Sequence, residues 1–156
     1  MAEPPSDPEV VVTGDTPKGR ITGDSGIISQ KARLAQDGDV SAAAELRVAK
    51  LLRTEGCNVH FVDDVLTTGR TNDLIVDGVN VDIKRIAGLG RNAAGDLAKG
   101  VRQVGPGGQV IIVRPANSSC TLKQFQDFVS NFAPKQLGVT CRVVDEALLP
   151  RLFFQK

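Results

Sequence analysis

From residue 39 onward the apolar positions follow helical and strand periods in alternation, and the pattern predicts most of the architecture. A 3.6-residue period runs over 41–54, followed by a short strand at 58–62 and two strands at 71–77 and 79–85. A second helix is expected over 94–104, where Ala94, Leu97, Val101 and Val104 form a stripe, and Gly105-Pro106-Gly107-Gly108 stops it. A buried strand at 109–114, a helix at 122–132, a strand at 139–144 and a helical segment at 146–153 complete the series. The order αβββαβαβ implies an α/β fold, a mixed central sheet flanked by helices. Residues 1–38 are rich in Pro, Gly, Asp and Ser with little periodicity, which reads as a flexible linker or arm ahead of a folded domain at 39–156.

The two middle strands carry the first chemical clue. Asp77-Gly78 between apolar runs is a strong hairpin signal, because both central residues of a type I′ turn need positive φ. With that turn, Val76 faces Val79, Ile75 faces Asn80, Leu74 faces Val81, and Asp73 faces Asp82. Facing residues have Cβ atoms about 4.5–5.5 Å apart, and like charges there are destabilising unless something compensates. A divalent cation would do so; the plainer alternative is a pair of solvated surface acids. Strand alternation puts Asp82 and Lys84 on one face, while Leu74, Val76, Val79, Val81 and Ile83 share the apolar one.

The preceding helix supplies a third acid. At 100° per residue, Glu45 sits in the middle of the arc formed by Ala42, Val48, Ala49 and Leu52, so it is aimed at the sheet. It could instead serve the positive helix N-terminus behind a Ser41 cap. That role works equally well on the solvent face and does not require the apolar arc.

Composition narrows the choices. A chain of 156 residues with 41% hydrophobic content holds one domain with a proper core. Net charge is +1, yet basic residues outweigh acidic ones in the C-terminal part, which suits a polyanion or simply solvated helix faces. Cys57, Cys120 and Cys141 are scattered without C-x-x-C spacing, which points away from a disulfide framework and a structural zinc site. No apolar run is long enough to span a membrane, and no charged n-region precedes an apolar h-region at the start. If the chain acts outside its producer, another polypeptide must carry it. Six Phe with no Trp or Tyr argue against a base-stacking single-strand platform and for recognition by shape and backbone.

A helical Glu45, an acid Asp73 at the start of a hairpin, and Asp82-Ile83-Lys84 on the next strand resemble the PD-(D/E)XK nuclease superfamily, over residues 39–144. Asn72 stands where that pattern often has Pro. Within the superfamily, Gly69-Arg70-Thr71-Asn72-Asp73, Val76-Asp77-Gly78, Val81-Asp82-Ile83-Lys84, Arg91-Asn92-Ala93-Ala94 and Gly100-Val101-Arg102-Gln103 are similar to the C-terminal tRNA nuclease domains of CdiA-type contact-dependent growth-inhibition toxins. The resemblance implies an αβββαβ core and a metal-dependent endoribonuclease acting on tRNA in the cytoplasm of a target bacterium. It also implies delivery as the tail of a large exported or cell-surface protein, and a cognate immunity protein in the producer. Membrane insertion by the domain itself is not expected.

On that reading Glu45, Asp73, Asp82 and Lys84 are the catalytic set, with Asp73, Asp82 and Glu45 holding Mg²⁺ or Mn²⁺. Hard cations prefer carboxylates, water and phosphate oxygens, and with only His60 nearby as a softer ligand, Zn²⁺ is secondary. Lys84 would orient the water and stabilise phosphate charge. Arg70, Thr71, Arg85, Lys99 and Arg102 are candidate substrate contacts. Lys99 and Arg102 fit a solvated helix face equally well. His60 reads as structural or substrate-contacting rather than catalytic, because acid/base chemistry usually wants a partner at close range. A DNA endonuclease uses the same elements, and a non-catalytic nucleic-acid-binding or protein-interaction domain that kept the fold is the remaining alternative.

Overall fold

The structure, a computed structural model, describes residues 19–24, 26–62, 73–132 and 138–152. Its elements are β1 (Ile21–Gly23), α1 (Ile27–Gln36), α2 (Val40–Thr54), β2 (Val59–Phe61), β3 (Leu74–Val76), β4 (Val79–Arg85), α3 (Ala93–Val104), β5 (Gln109–Arg114), α4 (Leu122–Phe132), β6 (Thr140–Asp145) and a 3-10 turn at Glu146–Leu148. The six strands form one mixed sheet whose spatial order follows the chain. β1 runs parallel to β2, β2 to β4 form an antiparallel meander, and β4, β5 and β6 run parallel. Parallel neighbours need a crossover, and α3 and α4 supply the two that the second half requires. The chain is therefore α/β, as its periodicity implies.

Each face of the sheet is covered where its side chains are apolar. On one face Leu74, Val76, Val81, Ile83, Ile111 and Val113 pack against Ala44, Val48, Ala49 and Leu52 of α2 and Ile27 and Ile28 of α1. On the other, Val110 and Ile112 pack with Leu97 and Val104 of α3 and Phe125 and Val129 of α4. β5 is thus apolar on both sides, as a central parallel strand must be.

The hairpin has the expected register, with Leu74 opposite Val81, Ile75 opposite Asn80 and Val76 opposite Val79. Asp77 and Gly78 adopt φ of 48° and 83°, the left-handed pair that the turn needs. Asp77 has a structural task besides, since its Oδ1 accepts the Asn58 N–H at 3.0 Å.

Several expectations need correction. Residues 19–38 are not a linker: β1 pairs with β2, and Ile27 and Ile28 are buried in the main core. Residues 1–18 lie outside the described residues. The cap of α2 is Asp39 rather than Ser41, its side chain accepting the Ala42 N–H at 2.9 Å. The buried stripe of α3 is Ala93, Leu97, Gly100 and Val104; Ala94 is exposed and Val101 half-buried, so the helix is rotated about its axis relative to the expected stripe. Val79, opposite Val76 on the apolar face, is nevertheless exposed at the turn end of the hairpin. Of the terminal helical segment, Glu146–Leu148 is a 3-10 turn and Phe153 lies outside the described residues; Arg47 of α2 donates to the carbonyls of Glu146, Leu149 and Pro150 and ties this stretch to the helix.

Candidate functional site

The hairpin ladder ends at Leu74 and Val81, one residue short of the two facing acids. Asp73 then replaces the missing strand with its side chain: its Oδ2 accepts the Ile83 N–H of β4 at 2.8 Å. Along this edge, among the described residues, a side chain rather than a strand closes the sheet. Groups from both faces can therefore meet. Glu45 arrives from α2 on one side and Asp82 from the other, and both line a cavity of about 340 Å³ with Ser41, Asp73, Lys84, Asp96 and Gln103.

Asp82 is only 2% exposed and is the single buried charged residue in the core among the described residues. Lys84 Nζ lies 3.1 Å from its Oδ2. That contact is an ion pair without hydrogen-bond alignment, because Oδ2 is a buried oxygen with no hydrogen-bond partner. Burial, then the charge of Asp73 and the hydrogen bond to it, push the Asp82 carboxyl up to about 8 against the opposing pull of Lys84. The two acids repel as the register predicts.

Strand alternation puts Asp82 and Lys84 on the polar face of the hairpin, and the structure lays α3 across them. The approach depends on Gly100, where an added Cβ would stand 3.1 Å from Asp82 Oδ2 and 3.3 Å from Lys84 Cε. A side chain there would oblige Asp82, Val110 and Lys84 to give way by a few tenths of an ångström, so glycine suits this close approach of the helix to the Asp-x-Lys strand.

Glu45 meets the cavity from within the buried arc of α2, as its helical angle requires. Burial first, then the nearby Asp73 charge, raise its carboxyl to about 7, while Lys31 of α1 acts in the opposite sense by ion pairing with Oε1. Lys31 was absent from the sequence reading because it falls in the stretch taken for an arm. Asp96, Gly100 and Gln103 were also not assigned, although their i, i+4, i+7 spacing places them on one helical face.

The candidate substrate contacts fare unequally. Arg70 and Thr71 lie outside the described residues. Arg85 lines the cavity, but its guanidinium is clasped by Glu146 through bonds of 2.7 and 3.1 Å, so it is a tie between β4 and the chain end rather than a free phosphate grip. Lys99 and Arg102 are exposed. At 100° per residue, Lys99 stands 60° around α3 from Asp96 at the cavity rim, and Arg102 twice as far. Three basic residues of the C-terminal part are paired, Arg114 with Asp145, Lys123 with Asp127 and Arg142 with Glu55.

His60 stands apart from the carboxylates. Its two ring nitrogens lie 2.9 Å from Thr22 Oγ1 and from Asp24 Oδ1. The ring joins β1 to β2 beside a separate groove that includes Arg20, Asn58 and Ile75. The ring therefore has a carboxylate partner at close range, contrary to the expectation from sequence, but outside the cavity that holds Glu45, Asp73 and Asp82.

Three carboxylates offering hard oxygen donors, one of them buried with an unbonded oxygen, fit a Mg²⁺ or Mn²⁺ ion in kind. Among the described residues no three His, Cys, Asp or Glu side chains are already drawn in around a metal-sized point. Glu45 leans on Lys31 and Asp82 on Lys84.

The raised carboxyls have a consequence for stability. Because Asp82 and Glu45 hold protons in the folded chain that the unfolded chain releases near pH 4, their contribution is present below that pH and lost as pH climbs toward 7–8. Glu146 and Glu55 are shifted the other way by hydrogen bonds from Arg85 and Arg142, so their effect falls at the acid end. In EDTA the melting temperature is expected to decline between pH 5 and 8.5. A melting temperature that rises over that interval would refute the crowding of acids.

Compared with protein-family models, curated proteins and solved structures, the chain matches none. Among the described residues no helix is long and apolar enough to cross a membrane.

Proposed function

We propose that this domain is a metal-dependent endoribonuclease of the PD-(D/E)XK kind, cleaving tRNA as the toxic tail of a larger exported protein. The observation that supports this most is the meeting of Glu45 from α2, Asp73 just before β3, and Asp82 and Lys84 from β4 in one cavity. A pair of repelling acids, one of them buried, is poor design for stability and good design for holding a dication.

Asp73, Asp82 and Glu45 would hold Mg²⁺ or Mn²⁺, which when bound supplies a Lewis acid that lowers the pKa of water and offsets charge on the phosphate. Lys84 would place its ammonium against the phosphate oxygen on which charge grows, and orient the attacking water. Lys84 is already held beside the acids by its ion pair with Asp82 at 3.1 Å. Lys99 at the rim would meet a neighbouring phosphate of the substrate, and an immunity protein in the producer would shield the same opening.

The test is incubation of the purified domain with total tRNA and with plasmid DNA, each in Mg²⁺ and in EDTA. Cleavage of tRNA in Mg²⁺ alone is expected. Cleavage confined to the plasmid would make the chain a DNA endonuclease, and no cleavage of either would leave a binding domain.

A further inference from the structure

We infer that Lys31 is a positioning residue for the metal site, acting through Glu45 and resting on the reading of that site given above. Its ammonium pairs with Glu45 Oε1, and both side chains are largely buried, at 17% and 14% exposure. Glu45 lines the cavity whereas Lys31, which pairs with its Oε1, is not part of the wall, so the carboxylate stands between the lysine and the cavity. One carboxylate is thereby divided between two cations, with a protein ammonium behind and room for a dication in front.

Charge supports this division. Glu45, Asp73 and Asp82 bring three negative charges, and Lys31 and Lys84 return two positive ones. Asp96 on the same wall brings the remainder to two negative charges, which a dication balances. Without Lys31, a buried carboxylate beside Asp73 loses the cation it touches, and turning toward water becomes its best escape. The site would then keep only the two hairpin acids.

Lys31 also explains why α1 belongs to the domain. The helix is fixed to the core by Ile27 and Ile28, and Lys31 lies one turn further along from these anchors. The positioning is therefore delivered by a segment remote in sequence from the Asp-x-Lys strand.

The experiment is Mn²⁺ titration calorimetry at pH 7.5 on the full chain, comparing wild type, Lys31→Met, Lys31→Arg, Glu45→Gln and the Lys31→Met/Glu45→Gln double variant, each shown to be folded by its melting curve. Lys31→Met should weaken Mn²⁺ binding by about 10-fold and Lys31→Arg should restore most of it, because the conservative change keeps a cation on Oε1. In the Glu45→Gln background the same Lys31→Met change should alter binding by less than about 2-fold, since its route to the metal is gone. Unchanged or tighter binding in Lys31→Met, or an equal loss with and without Glu45, would overturn the inference. Absence of Mn²⁺ binding in wild type would instead remove the metal site, and this inference with it.

Discussion

Asp82→Asn is expected to abolish hydrolysis while leaving the fold intact. The side chain is 2% exposed and nearly isosteric with Asn, so the α3 contact at Gly100 is preserved. What disappears is the one carboxylate whose buried oxygen has no hydrogen-bond partner and lines the cavity. A loss of about 10³-fold in kcat/KM, equivalent to about 4 kcal/mol of transition-state stabilisation, is the expected scale for removing a metal-holding group. Stability should move the other way. Asp82 is disfavoured as an anion by burial and by Asp73, so a neutral amide should leave the melting temperature in EDTA equal to or above that of wild type at pH 8. Wild-type cleavage by a folded Asp82→Asn variant would contradict this assignment.

The second large effect concerns the segment before Asp39. A chain beginning at Asp39 loses β1, the edge neighbour of β2, together with Ile27, Ile28 and the partner of Glu45. Burial of the two isoleucines alone is worth roughly 3–6 kcal/mol, against a total stability on the order of 5–15 kcal/mol for a domain of this kind. Thermal unfolding of that shortened chain should shift down by roughly 10–20 °C or lose cooperativity. An unchanged melting curve would show that α1 contributes nothing to the core, contrary to its burial.

The misjudged arm shows where sequence patterning fails. α1 starts at Gly26 without a side-chain cap and has no acidic residue in its first turn, so the usual start signals are missing. Apart from Ile27 and Ile28, its packed side is made of small residues, Ala32 and Ala35. A helix that leans on alanine leaves a faint hydrophobic period. By contrast, Glu45 was legible because one acid inside an otherwise apolar arc is conspicuous, and the hairpin was legible because Asp77-Gly78 dictates register.

The rest of the site depends on contacts far apart in the chain. Nothing near Arg85 shows that Glu146, 61 residues away, will take its guanidinium. Strand alternation separated Asp82 from the apolar face correctly. It could not show that Gly100 lets a helix cover that polar face as well, which turns a solvated acid into a buried one with a raised pKa. Convergence of both sheet faces on one cavity follows from where β3 stops, and that end is set by Asp73 binding the Ile83 amide.

The central claim is that the facing acids and Glu45 form one divalent-cation site. Calorimetric titration of Mn²⁺ into wild type and Asp82→Asn at pH 8, both verified as folded, measures it without reference to any substrate. Saturable binding in wild type that vanishes in Asp82→Asn is expected, accompanied by a rise in wild-type melting temperature as the ion binds the folded state. No binding by folded wild type, or undiminished binding by Asp82→Asn, would contradict the claim.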